Sequence, residues 1–447
     1  MKRLLLPILI SINTFALNAV GQTFSEFANN PVIDTLHATD SSETWTRWKS
    51  DPCVIHWRGD SLRAYYGTNN YGVNTQIGTA ISINGIDWSE KKNSPVLGLG
   101  SPGSWDDSEV ETPYVLYIQT NPDSMKYMMW YSGATPDSNL LGSPCLNLTI
   151  YQIGLAYSAD GLNWTKYNDM TNDSAPLFAE SDPVVGIPQW TGCNPTVTNE
   201  QMFSVAEPCV LYDNNTFRLY YIGFGCASAY CQPSGDLRYR VLYSESLDGI
   251  HWGPQTVILD IGPSGAFDCR VVYSPDVIKL NNKYWMFYAG GADSTYNVWK
   301  CDMGLATSDD GIHFTKFLAN PVIARVSGSW TDCGMNAANA IVVRDTLRVY
   351  YSGLVCDSIT APTIGFSYMA PGGQCCNVAG DANHDGSYNI ADITFGIALI
   401  FSGGPAPLCQ DEADANGDNS FNIADVTYGI ARIFSGGPAP VCGTTGL

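Results

Sequence analysis

VAEPCVLYDNNTFRLYYIG, residues 205–223, reads as a strand, a polar turn and an aromatic strand ended by glycine, with one carboxylate, Glu207, at its mouth. The pattern returns as SDPCVIHWRGDSLRAYYG (50–67), VETPYVLYIQTNPDSMKYMMWYSG (110–133), YSPDVIKLNNKYWMFYAG (273–290) and MNAANAIVVRDTLRVYYSG (335–353), the last without the shared proline. A third strand follows every copy: IGTAIS from 77, IGLAYS from 153, RVLYSES from 240, MGLATS from 303 and IGFSY from 364. In four copies a turn comes next, NGIDW, DGLNW, DGIHW or DGIHF, whose glycine supplies the positive φ of a tight hairpin. Fourth strands are then expected at SPVLGL (94–99), APLFAE (175–180), TVILDI (256–261) and PVIARV (321–326).

The fifth copy stops after its third strand. NPVIDT (30–35) matches NPVIAR (320–325), so the N-terminal segment is expected to complete the last unit. Four-stranded units repeated radially and closed by a terminal strand form a propeller, which leaves only short, covered edges. The expected fold is therefore an all-β five-bladed β-propeller over residues 22–370, with an open array of antiparallel sheets as the alternative.

Composition bounds the rest. The chain has 447 residues and a formal charge of −21, from 43 acidic and 22 basic side chains, which argues against nucleic-acid or anionic-membrane partners. Lys2, Arg3, an apolar run from Leu4 to Phe15 and the small residues Ala19 to Gly21 read as a signal peptide over residues 1–21. No later segment is apolar enough to span a membrane, and secretion or display at the cell surface is expected. All 14 cysteines follow the leader, so disulfides are expected, with the pairing open.

The innermost strands of a propeller converge on its axis, and their first residues line the funnel. Asp51, Glu111, Glu207 and Asp276 stand at those starts, with Asn336 and Asn339 in the fifth blade. Crowded carboxyls do not all ionise together, so one is expected to stay protonated while another is charged. That is what glycoside cleavage requires of its acid and its base or nucleophile. Trp45, Trp48, Trp105, Trp190 and Trp330 are expected in loops rimming the funnel, where flat rings would stack on sugars. A carbohydrate-binding propeller without catalysis would use the same funnel. The repeated Asp-Gly turns are read as hairpins with an aromatic packed between blades.

With its DP, EP and SPDV strand starts, YYSG second strands and IGxAxSxDGxxW tails, the chain resembles the five-bladed propeller superfamily of arabinanases, xylosidases, levansucrases and invertases. These are glycoside hydrolase families 43, 32 and 68, with the related family 130. The resemblance covers about residues 24–370 and implies a catalytic Asp at Asp51. In invertase-like families the general acid is a third-blade Glu, here Glu207. Arabinanase-like families carry it on the fourth blade, where this chain has Ser274-Pro275-Asp276. The invertases' second-blade Asp has no match, and Glu111 stands nearby. Asp51, Glu207 and Glu111 are thus the catalytic candidates, and Asp276, Asn336, Asn339, Trp48, Trp105 and Trp330 the substrate-binding ones. Phosphorolysis would need convergent basic groups, and only His56, Arg58 and Arg270 lie close in sequence.

Beyond the linker 371–376 the composition changes. GDANHDGSYNIADITFGIALIFSGGPAPLC is followed at an offset of 33 residues by ADANGDNSFNIADVTYGIARIFSGGPAPVC (414 − 381 = 33). Asp381, Asn383, Asp385, Asn389 and Asp392 occupy positions 1, 3, 5, 9 and 12 of an EF-hand-type loop, with Gly386 at position 6 and the Ser387 carbonyl at position 7. Asp414, Asn416, Asp418, Ser420, Asn422 and Asp425 repeat the set, with Asn419 in place of the glycine. Amphipathic helices are expected over 390–401 and 423–434. Residues 377–447 resemble a type I dockerin, which implies a small all-α domain, two Ca²⁺ ions and a cohesin-bearing scaffold protein as partner, met through Ala391, Thr394, Ala424 and Thr427. A calcium-stabilised module with no cohesin is the alternative. Cys375 or Cys376 with Cys409 or Cys442 would clamp the module's ends.

Overall fold

A computed structural model describes residues 24–34, 48–59, 61–69, 74–90, 94–136, 149–167, 184–185, 201–226, 237–280, 282–295, 298–343, 346–356, 361–369, 378–383, 385–402, 407, 410–418 and 421–442. The expected signal peptide, Trp45, Trp190, Asn419, Ser420, Cys375, Cys376 and Cys409 lie outside them. The chain divides into two compact units, Glu26–Ile341 with Arg348–Ser367, and a second that includes Tyr368–Leu447.

Five blades follow the repeat, antiparallel except that Val184–Val185 adds a parallel outer strand to Gln255–Leu259 of the third. Their inner strands are Trp48–His56, Glu109–Tyr117, Gln201–Asp213, Val271–Leu280 and Gly334–Val343. Each blade then adds its second and third strands outward in sequence order, as in Trp48–His56, Leu62–Asn69 and Gln76–Ser82 of the first. The N-terminal segment completes the fifth blade: Phe27 N donates to Phe366 O, and Val32 and Ile33 both donate to Ile364 O. Asn30 clamps Phe366 through both ends of its amide, at 2.8 and 3.0 Å. Asn320 clamps Leu305 in the same way at 2.9 and 2.8 Å, so the sequence match between the two segments is a match of function.

The fourth strands differ from expectation. The segments at 94–99 and 321–326 each make a single bridge, Ile77 with Leu97 and Met303 with Ile323. Pro95 and Pro321 lack the N–H that would extend a ladder. The outer strands of blades one, two and four are instead two-residue pieces just past the turns, Ser89–Glu90, Thr165–Lys166 and Thr315–Lys316. Among the described residues 256–261 alone supplies a longer one, Gln255–Leu259, and the strand expected at 175–180 lies outside them.

The Asp-Gly turns are latches between blades. Within each, a serine hydroxyl and the Asn or Asp carboxyl-type oxygen accept the local N–H groups, as Ser158 and Asp160 do for Gly161, Leu162 and Asn163. The freed glycine carbonyl accepts from the preceding blade: Tyr65 to Gly161 O, Trp130 to Gly249 O, Tyr220 to Gly311 O and Tyr350 to Gly85 O, at 2.7–3.1 Å. The equivalent residue of blade four is Phe287, which has no donor and faces the one blade without such a turn. Aromatic and aliphatic side chains pack around these latches, for example Met128, Trp130, Phe217 and Leu242 between blades two and three.

Disulfide expectation is met at Cys333–Cys356, and Cys442 is also disulfide-bonded. Cys53, Cys209, Cys269 and Cys301 are free thiols. Buried Cys53 and Cys209 act as hydrogen-bond acceptors, as described below.

The latches predict that opposite substitutions at two equivalent sites are both costly. Tyr350→Phe leaves the buried Gly85 carbonyl without its donor and lowers urea-unfolding stability by roughly 1–3 kcal/mol. Phe287→Tyr inserts a hydroxyl where no turn carbonyl receives it and also destabilises; a neutral result in both would contradict the latch.

Candidate active site

Four inner strands enter through a bulge. Register slips between Ser50 and Cys53, Glu111 and Tyr114, Ala206 and Cys209, and Tyr273 and Asp276. The residue at this position takes a left-handed backbone in all five blades: Asp51 at φ 56°, Thr112 at 47°, Glu207 at 56°, Ser274 at 50° and Ala337 at 51°. Non-glycine residues avoid this region, and its recurrence at functional sites reflects what the local strain achieves: it turns the side chain off the sheet. These five residues, the Pro52, Pro113, Pro208, Pro275 and Ala338 that follow them, and Tyr114 line one cavity.

The candidate residues therefore divide by register. Asp51 and Glu207 are the two carboxylates at the left-handed position. Glu111 and Asn336 precede it by one residue, on the strand itself. Asp276 and Asn339 follow it by two and lie beneath the cavity floor.

Asp276 is 1% exposed and does not line the cavity. Its Oδ2 accepts Ala340 N at 2.6 Å, and its Oδ1 lies 3.4 Å from Asn339 Nδ2. Asn339 Oδ1 in turn accepts Val54 N at 2.8 Å. The same register carries Cys53, whose sulfur accepts Val115 N, and Cys209, whose sulfur accepts Val277 N, both at 3.2 Å. Tyr114 fills this register in blade two, its hydroxyl bonded to the side chains of Cys209 and Asp276. Asp276 and Asn339, expected to hold substrate, are links in an interblade belt.

The tryptophans also divide. Trp48 is 40% exposed at the start of the first inner strand. Trp105 and Trp330 are not on the rim; their rings stack on Tyr131 and Tyr351 with centroids 5.7 and 5.3 Å apart. They lie over glycine pairs, Gly133 with Gly154 and Gly353 with Gly365, where an added Cβ would come within 2.7 Å of the ring. Phe267 repeats the device over Gly290 and Gly304. The aromatic-Asp step shared by Trp105-Asp106 and Phe267-Asp268 was its signal in the sequence: buried Asp106 binds Tyr131 and Lys166, and buried Asp268 binds Tyr288 and Lys316.

Electrostatics separates the two cavity acids. Burial pushes Asp51 up to about 6, partly countered by the Ser50 hydroxyl donating to Oδ2 at 2.8 Å. Burial pushes Glu207 to about 8, opposed by two bonds from Ser274 to Oε2, N–H at 2.6 Å and hydroxyl at 2.8 Å, while the charge of Asp51 pushes it further up. Glu111 is raised well above the usual carboxylate range by burial and then by the charges of Asp51 and Glu109. Glu109, unremarked in the sequence reading, is raised by burial while its hydrogen bonds to Glu111 and Thr75 hold it back. Period-two spacing on one strand puts Glu109 and Glu111 on a common face and was its available signal. Tyr151 is bonded to Glu111, whose charge, followed by burial, raises its phenol. Asn336 Oδ1 is buried with no hydrogen-bond partner among the described residues. His56, Arg58 and Arg270 do not line the cavity.

In the C-terminal segment, helices Ile390–Ser402 and Ile423–Ser435 follow the two loops. Asn389 and Asn422 cap them, accepting Ala391 N and Ala424 N at 2.8 Å, while Asp392 and Asp425 accept the cap residues' own N–H at 2.7 and 2.8 Å. The carboxylates expected at loop positions 1 and 12, Asp381 with Asp392 and Asp414 with Asp425, are buried. Burial raises Asp392 and Asp425, and the facing Asp381 and Asp414 add to it. Gly386 has the left-handed φ of 85° that loop position 6 needs. Asn383, Asp385 and Ser387 crowd the first loop through bonds among themselves, and Asn416 and Asp418 repeat this in the second. This oxygen-rich set fits a hard divalent cation, although the described residues hold no preformed group of three or more His, Cys, Asp or Glu around one point. Thr394 and Thr427 are exposed, and Ala391 is half-buried and Ala424 likewise.

The belt has a pH consequence. Asp276 is pushed by burial up to about 7, with Ala340 N–H, Asn339, Cys209 and Tyr114 opposing. Native protein thus holds a proton that the unfolded chain has lost between about pH 4 and pH 7, and stability contributed by the protonated form falls as pH rises through that window. Asp276→Asn, which keeps an acceptor for Ala340, flattens this slope in urea titrations at pH 5 and pH 8; an unchanged slope would count against the belt acid.

Residues 204–333, which contain Glu207, match the glycosyl hydrolases family 32 N-terminal domain. An uncharacterized protein of Mycobacterium tuberculosis, in strains CDC 1551 / Oshkosh and ATCC 25618 / H37Rv, is 23% identical over 303 residues, covering 67% of this chain and 86% of the relative. Among solved structures the chain is similar to a thermostable family-43 glycoside hydrolase, with TM-score 0.51 and 19% identity over 73% of this chain and 93% of that one. It is also similar to a protein from work on the family-130 mannoside phosphorylases, a family described there as containing glycoside hydrolases that target β-1,2 mannosidic linkages in Candida mannan, with TM-score 0.51 and 16% identity over 80% and 97%. These likenesses support the propeller fold.

Proposed function

We propose that the propeller is a glycosidase in which Glu207 is the general acid and Asp51 the nucleophile or general base. The observation that carries this reading is the pairing of the two acids: both occupy the left-handed ring position, both face one cavity, and their titrations lie on either side of neutrality. At pH 7 Glu207 keeps its proton and Asp51 is mostly ionised. Because both Ser274 bonds go to Oε2, the Glu207 proton resides on Oε1, from which it passes to the glycosidic oxygen as the C–O bond breaks. Asp51, or a water it activates, attacks the anomeric carbon. The charge of Asp51 favours both the protonated acid and an oxocarbenium-like transition state, and Asn336 Oδ1 is an acceptor for a sugar hydroxyl. The match to the family 32 domain over blades three and four supports the assignment of Glu207.

The C-terminal module is read as dockerin-like, with one Ca²⁺ held by Asp381, Asn383, Asp385, Ser387, Asn389 and Asp392 and a second by the corresponding set from Asp414 to Asp425. It would tether an exported enzyme to a cohesin-bearing scaffold through its exposed threonines. The Cys333–Cys356 disulfide supports an oxidising compartment.

Two measurements test these assignments. On a panel of arabinan, xylan, fructan and mannan, kcat/KM should follow a bell with limbs near pH 6 and pH 8: rate falls below the first as Asp51 is protonated and above the second as Glu207 ionises. Glu207→Gln should lower kcat by roughly 10²–10⁴-fold and remove the alkaline limb; activity indifferent to Glu207→Gln and Asp51→Asn would sink the site. Calorimetric titration with Ca²⁺ should give two sites, reduced to one by either Asp385→Ala or Asp418→Ala, and absence of binding at millimolar Ca²⁺ would refute the module's metal.

A further inference from the structure

The Glu207 carboxyl is held by the neighbouring blade, and the way it is held follows from one change in the repeat. At one position of the second strand the five blades carry Gly67, Ser132, Ile222, Ala289 and Ser352. Where this residue is serine, its hydroxyl accepts the N–H of the left-handed residue in the following blade: Ser352 takes Asp51 N at 2.8 Å, and Ser132 takes Glu207 N at 2.9 Å. Ile222 offers no acceptor to the blade that follows it. The N–H of Ser274 turns instead to Glu207 Oε2, and the Ser274 hydroxyl joins it on the same oxygen. Two donors on one oxygen fix the carboxyl's rotation as well as its place.

We propose that Ser274 is a positioning residue for Glu207: its N–H and hydroxyl together pin Oε2, so that Oε1 presents the acid proton to the cavity, and Ile222 makes this possible by leaving the Ser274 N–H free. The inference rests on Glu207 being the acid. It also explains why a serine, and no third carboxylate, occupies the left-handed position of blade four. A carboxylate there would face Glu207 with an acceptor in place of a donor.

Ser274→Gly deletes only the hydroxyl, keeps the N–H and suits a φ of 50°. Ile222→Ser supplies the rival acceptor that two sibling blades already accommodate. The Glu207 carboxyl is followed by ¹³C NMR titration, assigned by its loss in Glu207→Gln, alongside kcat and KM as functions of pH. In Ser274→Gly the Glu207 midpoint and the alkaline limb should rise together by about one pH unit, the worth of one charge-assisted bond. kcat should fall roughly tenfold, with KM and the acid limb unmoved. Ile222→Ser should shift the midpoint in the same direction. An unmoved midpoint in both variants, or a loss of activity uniform across pH, would overturn the proposal and reduce Ser274 to an interblade strap. A shifted midpoint in a wild-type background that turns over no glycan would instead overturn the glycosidase reading and leave the hydrogen-bond assignment standing.

Discussion

A closed ring of blades must satisfy, around its axis, the backbone N–H groups that each bulge removes from its sheet. The belt beneath the cavity does this with one side chain per blade. Cys53, Cys209, Asp276 and Asn339 each accept the N–H one register on in the next blade, and Tyr114 ties the remaining gap to Cys209 and Asp276. An unpaired buried N–H costs about as much as any hydrogen bond returns, so the bulges and the belt stand or fall together. The four Asp-Gly latches repeat the arrangement farther out, and the N-terminal Asn30 clamp closes the fifth blade.

The bulges in turn create the site. A left-handed residue at every strand entrance brings five side chains to one cavity, and a proline follows four of them. The chain then chooses which of the five carry charge. Threonine, serine and alanine fill three, which leaves Asp51 and Glu207 as an unequal pair. Burial is the largest cause at both, and each feels one other carboxylate, Glu109 at Asp51 and Asp51 at Glu207; Ser50 holds Asp51 back, and Glu207 sits higher in spite of two donors from Ser274. Burial that the belt imposes is what lifts both acids toward neutrality.

The blade count, the N-terminal closure and the Asp51–Glu207 pair were legible because the repeat repeats its strand starts and its proline. Register within the bulge was not. One residue of slip on a strand reverses the face, and Glu111, Glu207 and Asp276, which align loosely around the proline, end in three different places. Asp276 illustrates the cost: in sequence it is another acid beside a proline, and only the bulge decides that it points under the floor. Trp105 and Trp330 misled for another reason. A ring beside a strand start looks like a sugar platform, and what makes it a packing wedge is a pair of glycines about 25 and 35–50 residues farther along, visible as a signal only when Phe267 is aligned with them.

The C-terminal loops pose a subtler conflict between local and functional readings. Asn-x-x-Asp before an apolar run is a helix capping box, and Asp392 and Asp425 do cap, each accepting the N–H of Asn389 or Asn422. Capping alone would explain them. It does not explain why each capping acid is buried against a second acid, Asp381 or Asp414, since a cap favours the ionised carboxylate at a helix N-terminus and a facing carboxylate opposes it. The divalent cation proposed for each loop would reconcile the two demands, because it would neutralise both acids while leaving each free to keep its cap. The same pair of residues would then end the loop, start the helix and make the helix depend on the ion.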